Sequence, residues 1–154
     1  MATELITWGE KYCLGLDEID EQHQALVDII NRIWQSIILR SDKQAIFSLI
    51  AELEKYTLAH FAAEETLMRI TDYPRFEKHK QEHQDFVGRV LEEKKQALAS
   101  GELSLDLMYF LRDWLVEHIL GSDKHYADYM NKNKSKSGSL IGRLFRRFFC
   151  AADL

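Results

Sequence analysis

The chain is poor in the residues that interrupt helices: one proline and seven glycines among 154 residues. That scarcity argues for long uninterrupted helices. Cysteine is equally sparse. Cys13 and Cys150 lie far apart with no C-x-x-C spacing. This excludes a disulfide framework or a cysteine-type zinc site and fits a reducing cytoplasm. No apolar run approaches the roughly 18–20 residues of a membrane span. Met1-Ala2-Thr3-Glu4 lacks the basic and apolar regions of a secretory signal. Ser-His-Asp and Cys-His triads and glycine-rich phosphate loops are also missing, so no nucleophile or nucleotide motif is present and no catalytic residue is assigned.

What is present is ordinary in bulk. Apolar residues make up 46% and charged residues 29%, typical of a soluble globular protein of one domain with a full core. The net charge of −5 hides an asymmetry. Residues 131–154 carry Lys132, Lys134, Lys136, Arg143, Arg146 and Arg147 against Asp153 alone. The body, residues 1–130, is therefore strongly acidic, which argues against nucleic acid as its partner.

Hydrophobic periodicity sets the architecture. Residues 1–16 hold scattered apolar residues (Ile6, Trp8, Tyr12, Leu14, Leu16) without helical period, as in an arm laid on the body. Four helices follow. The first carries Ile19, His23, Leu26, Ile30, Ile33 and Ile37 on one side. The second opens with the capping-box pattern Ser41-Asp42-Lys43-Gln44 and carries Ile46, Leu49, Leu53, Tyr56, His60, Glu64 and Leu67. The third starts at Pro74, carries Phe76, His79, His83, Phe86 and Val90, and stops at Ser100-Gly101. The fourth starts near Ser104 and carries Leu107, Leu111, Trp114, His118 and Tyr126. Long amphipathic helices joined by short links predict an all-α, up-down-up-down four-helix bundle over residues 1–130. A polar linker at 131–139 and a short C-terminal amphipathic helix complete the chain.

The histidines fall in line with the apolar stripes, so they point at the bundle axis. Leaving such groups buried and unpaired costs about 2–7 kcal/mol each. A lone histidine on an apolar face is usually a satisfied core residue; five at these spacings are not. His60 with Glu64, and His79 with His83, are i,i+4 pairs and neighbours on one face. His118 and Asp123 are five apart, which turns Asp123 off that face. Gly121 and Ser122 between them predict a π-type loosening that brings it back. Five imidazoles, two bridging carboxylates and one oxo or hydroxo bridge fill eleven of the twelve positions of two octahedral ions. The remaining position is where a small molecule binds. The donor mixture suits iron, and ligand type alone does not refuse zinc, copper or manganese. Leu26, Phe61, Trp114, Leu115 and Ile119 lie within a turn of these donors. They make an apolar pocket suited to a small diatomic such as O2. Glu65 sits about 100° around the helix from Glu64 and is read as supporting a ligand or solvated. His125 is read as a surface residue, and Asp17 and Asp20 as serving the helix start.

The pattern of His23, then His60-x-x-x-Glu64, His79-x-x-x-His83 and His118-x-x-x-x-Asp123 resembles the hemerythrins, and the single-domain bacterial kind in particular. The resemblance covers roughly residues 6–130 with all seven positions filled. It implies an oxo- or hydroxo-bridged non-haem di-iron centre with Glu64 and Asp123 as bridges. His79, His83 and His118 would hold one iron and His23 and His60 the other, with O2 at the latter inside the five-residue pocket. It implies reversible O2 binding for carriage, storage or sensing, and no enzymatic activity. Two alternatives stay open: a di-iron enzyme acting on peroxide or nitric oxide, and an O2-responsive signalling module working through its tail.

The tail departs from the family pattern. Leu140, Ile141, Leu144, Phe145, Phe148 and Phe149 alternate with Arg143, Arg146 and Arg147. This basic amphipathic segment, residues 140–150, fits docking to an anionic membrane surface or a protein partner. It equally fits folding back on the acidic body or self-association. The expected location is cytoplasmic, peripheral to the membrane if the tail docks there. The oligomeric state is left open.

Overall fold

The computed structural model describes residues 3–133 and Arg143. The helices are α1 (Asp17–Ile38), α2 (Lys43–Ile70), α3 (Phe76–Ser100) and α4 (Leu105–His118). A π-helical turn (Ile119–Asp123) then leads into α5 (Lys124–Lys132), which continues the fourth rod. No strand occurs among the described residues. Each rod packs on the next, and α1 closes against α4. The expected all-α four-helix bundle is what the chain forms. The membrane or partner segment at 140–150 lies outside the described residues, Arg143 apart. Among the described residues no helix is long and apolar enough to cross a membrane.

Local chemistry explains the corners. The α1–α2 turn closes with the Ser41 N–H bonded to the Ser36 carbonyl at 2.9 Å, across Arg40 at φ 52°. The α2–α3 turn does the same through Tyr73 and Met68, across Asp72 at φ 52°. Both are Schellman-type closures with a non-glycine residue in the left-handed region. Gly101 ends α3 at φ 74°, the conformation expected of a terminal glycine. The Ser104 hydroxyl caps α4 by accepting from the Asp106 N–H at 3.1 Å.

Three expectations shift. Asp42, not Ser41, caps α2, accepting from the Ala45 N–H at 2.8 Å. Ser41 is already engaged in closing α1, so the cap moves one residue on. Pro74 lies before α3 rather than inside its first turn, because the Phe76 N–H folds back to the Tyr73 carbonyl. From the start of α2 to its middle the buried residues are Ile50, Leu53 and Thr57. Ile46, Leu49 and Tyr56 are only partly covered.

The arm is packed, as its apolar content required. Ile6, Tyr12, Leu14 and Leu16 are buried, with a 3-10 turn at Glu10–Tyr12. Buried Asn31 holds the arm by accepting from the Leu5 and Ile6 N–H groups and donating to the Ile6 carbonyl. Asp20 reaches back to the N–H groups of Leu14 and Gly15. It anchors the arm at the start of α1 instead of capping the helix, whose N-cap is Leu16.

Candidate metal centre

All four rods deliver donors to one buried point. α1 supplies His23, α2 supplies His60 and Glu64, α3 supplies His79 and His83, and α4 supplies His118. Asp123 ends the π-turn. Five residues cover about 500° of an α-helix, some 140° beyond a full circle, and the wider π-turn takes up that excess. The turn sits where the spacing of His118 and Asp123 required it. All seven side chains are buried.

Their atoms form two overlapping groups. Glu64, His79, His83, His118 and Asp123 each offer a donor atom within 4.8 Å of the others. So do His23, His60, Glu64 and Asp123. The two carboxylates belong to both groups. In the larger group the Nε2 of His118 lies 3.2 Å from the Nε2 of both His83 and His79. Asp123 Oδ1 is 3.1 Å from His118 Nε2 and 3.2 Å from His79 Nε2. Glu64 Oε2 is 3.2 Å from His79 Nε2 and 3.3 Å from His83 Nε2. On the other side, His23 Nε2 is 3.0 Å from Asp123 Oδ2.

These spacings are those of donors around a cation. Adjacent donors on an octahedral ion with bonds of about 2.1 Å lie about 3.0 Å apart. As a purely organic cluster the arrangement is poorly satisfied. Both Asp123 oxygens, Glu64 Oε1 and both His23 nitrogens are buried without an aligned hydrogen-bond partner. Three imidazole edges cannot all donate to one another. Buried charge of this kind is tolerated when it coordinates metal. The residues present therefore fit a di-iron site.

The electrostatics agree. Burial and the nearby Asp123 charge work to raise the Glu64 carboxyl, yet the surrounding imidazoles hold it below the usual carboxylate range. Asp123 is held well below that range against burial, chiefly by His118. Burial drops His60 to about 3, with Glu64 offsetting only part of the loss. Burial also depresses His79, but the facing Asp123 and Glu64 outweigh it and hold the ring up to about 10. His118 is likewise lowered by burial, and Asp123 and Glu82 hold it up to about 9. Without metal, two protonated rings supply the positive charge that the two carboxylates need.

The outer nitrogens of three rings are also held. His118 Nδ1 meets Glu82 Oε2 at 3.0 Å, and the Ser122 hydroxyl of the π-turn donates to the same oxygen. The hydrogen bond from His118 brings the Glu82 carboxyl down to about 2. His83 Nδ1 meets Glu65 Oε1 at 3.0 Å, so Glu65 supports a ligand position. His60 Nδ1 meets the buried Gln22 amide oxygen at 2.6 Å. Sequence reasoning assigned nothing to Gln22 or Glu82, and gave Ser122 a part only in loosening the turn before Asp123. Gln22 adjoins His23 and Glu82 adjoins His83, but each acts on a ring from another rod, and Ser122 reaches across to the Glu82 carboxylate; one sequence carries no signal for such pairings.

Of the five expected pocket residues, Leu26, Phe61, Leu115 and Ile119 are buried and Trp114 is partly so. Phe61 stacks on His83 at 3.7 Å between ring centres, and Trp114 stacks on His118 at 4.3 Å. Both aromatic rings thus cover the three-histidine group, while Phe61 also lies 5.9 Å from His60. His125 is exposed, as expected.

Comparison with known proteins agrees with this geometry. A protein-family model described as the hemerythrin HHE cation binding domain matches residues 14–130. The chain is 34% identical over 153 residues to a bacteriohemerythrin of Stenotrophomonas maltophilia, covering 94% of this chain and 98% of that protein. It is 31% identical over 129 residues to a hemerythrin-like protein of Naegleria gruberi, covering 82% of this chain and 97% of the other. The crystal structure of a wild-type hemerythrin superposes with a TM-score of 0.74 at 31% identity, covering 80% of this chain and 96% of that one. With the seven donors gathered as the pattern anticipates, the chain belongs to the hemerythrin family.

Proposed function

We propose that this chain binds O2 reversibly at a non-haem di-iron centre. Family membership supports a non-haem iron protein that binds oxygen. The observation that carries the finer reading is the pair of overlapping donor groups, one of five residues and one of four, sharing both carboxylates. On this reading Glu64 and Asp123 would be shared by both irons, His79, His83 and His118 would hold one, and His23 and His60 would hold the other. The second iron would have one protein donor fewer, leaving room there for a small ligand. Bound iron supplies the electrons that O2 binding draws on.

The chain's own side chains do the rest. Leu26, Leu115 and Ile119 are buried and apolar, offering nothing to a charged ligand and excluding bulk water. The Phe61 and Trp114 rings lock His83 and His118 by stacking. Five imidazoles against two carboxylates favour binding over oxygen activation, since neutral donors stabilise oxidised iron less than anionic ones. This supports a binding protein rather than an enzyme on peroxide or nitric oxide. A cytoplasmic location fits two cysteines so far apart in the sequence and without C-x-x-C spacing.

The test is anaerobic loading with ferrous iron, then exposure to air and removal of O2. Two irons per chain, an optical change with O2, and return to the colourless ferrous form without consumed reductant are expected. Fewer than two irons, or one-way oxidation, overturns the proposal. So does unchanged uptake in His79→Ala or Glu64→Ala.

A further inference from the structure

The two donor groups differ in what stands behind them. In the three-histidine group, His83 and His118 each face a carboxylate through Nδ1: Glu65 and Glu82, both at 3.0 Å. In the two-histidine group, His60 faces the neutral amide of Gln22, and His23 Nδ1 is buried with no partner. An imidazole that donates its outer N–H to a carboxylate becomes more basic at the inner nitrogen and a stronger electron donor to a metal. A neutral amide contributes much less, and an unpartnered nitrogen nothing.

We infer that the chain makes its two metal positions electronically unequal, so that the ion held by His79, His83 and His118 is the first of the pair to be oxidised. The inference rests on the di-iron reading above. Neither anion is cancelled locally. Lys78 approaches Glu82 only to 3.9 Å and Arg69 approaches Glu65 only to 4.0 Å. Both cations are more than half exposed, at 74% and 59%, where water screens such pairs. The carboxylates themselves are more sheltered, at 29% for Glu82 and 15% for Glu65. Glu82 is further fixed by the Ser122 hydroxyl, so the π-turn that delivers Asp123 also orients the carboxylate behind His118. Glu65, Glu82 and Gln22 are positioning residues, acting on the metals through the rings they hold.

The step is a one-electron transfer. One ferrous ion becomes ferric, ferricyanide becomes ferrocyanide, and the second ion stays ferrous. The experiment loads the full chain with two ferrous ions without air and titrates with ferricyanide. Both one-electron midpoints are recorded, and Mössbauer spectra are taken at half-oxidation. Two well-separated midpoints are expected. Glu65→Gln and Glu82→Gln keep an acceptor but remove the charge. Each should raise the first midpoint so that the oxidised-to-reduced ratio falls about tenfold at fixed potential, about 59 mV for one electron. Gln22→Glu should lower the second midpoint and narrow the gap. A merely structural role would alter the melting of the metal-free chain and leave the gap in place. If either Glu variant fails to fold, the other and Gln22→Glu still decide. An unchanged gap across the variants overturns the inference alone, with the iron pair intact. Uptake of fewer than two irons by the unsubstituted chain overturns it together with the di-iron reading.

Discussion

Metal should displace protons from this site in a number the structure sets. Without metal, the carboxylates hold His79 up to about 10 and His118 up to about 9. At about pH 7.5 both rings are almost fully protonated. A coordinating imidazole must be neutral. Loading at that pH therefore displaces about two protons from these rings. His60, dropped to about 3 by burial, contributes none, and Glu64 and Asp123 are already ionised. Each displaced proton makes apparent affinity rise about tenfold per pH unit, so two give about a hundredfold. The slope flattens as pH passes 9 and then 10. Calorimetric titration with ferrous ions under argon, in buffers of different ionisation enthalpy, reads the number directly. A water-derived bridge adds its own proton at every pH, so the signature is the two-proton component that disappears between about pH 8 and 11. Glu82→Gln removes one group holding His118 up, and should move the first of those losses to lower pH. A proton count that stays constant across this range would falsify the assignment of charge to His79 and His118.

The same rings govern the stability of the metal-free chain. Their folded values lie above the free value of 6.5. Their stabilisation is complete below that value and lost as pH rises through 9 and 10. The metal-free melting temperature should fall over that window, as followed by circular dichroism, and the loaded protein should lack this decline. Ile33, fully buried about 15 Å along α1 from His23, serves as a control. Ile33→Ala should cost about 2–5 kcal/mol in urea unfolding while iron uptake stays at two per chain. Leu115→Asn places a polar group in the apolar wall beside His118 and should accelerate autoxidation of the oxygenated form in an optical time course. Deleting residues 131–154 should leave O2 binding intact but change oligomer size or partitioning to anionic vesicles; if neither changes, the tail has no docking role.

The gathering of these seven side chains, and the rods that carry them, were legible because helical period is a local property. Histidines falling on the stripes of Ile19, Leu53 or Phe86 must face inward with them. Even the π-turn could be read, since a five-residue step between His118 and Asp123 cannot share a face without it. Finer points were not local. Ser41 lost the α2 cap because it closes α1, and Thr57 is buried through the way α2 meets its neighbours.

By itself, the sequence determined a four-rod bundle with imidazoles and carboxylates on its axis, because side-chain direction repeats with the helix and burial follows polarity. Tertiary structure alone decided that Glu65, Glu82 and Gln22 stand behind particular rings, and that Phe61 and Trp114 stack on the three-histidine side. Those pairings join residues of different helices across the bundle, where rotation and crossing angle, not spacing along one chain, choose the partner.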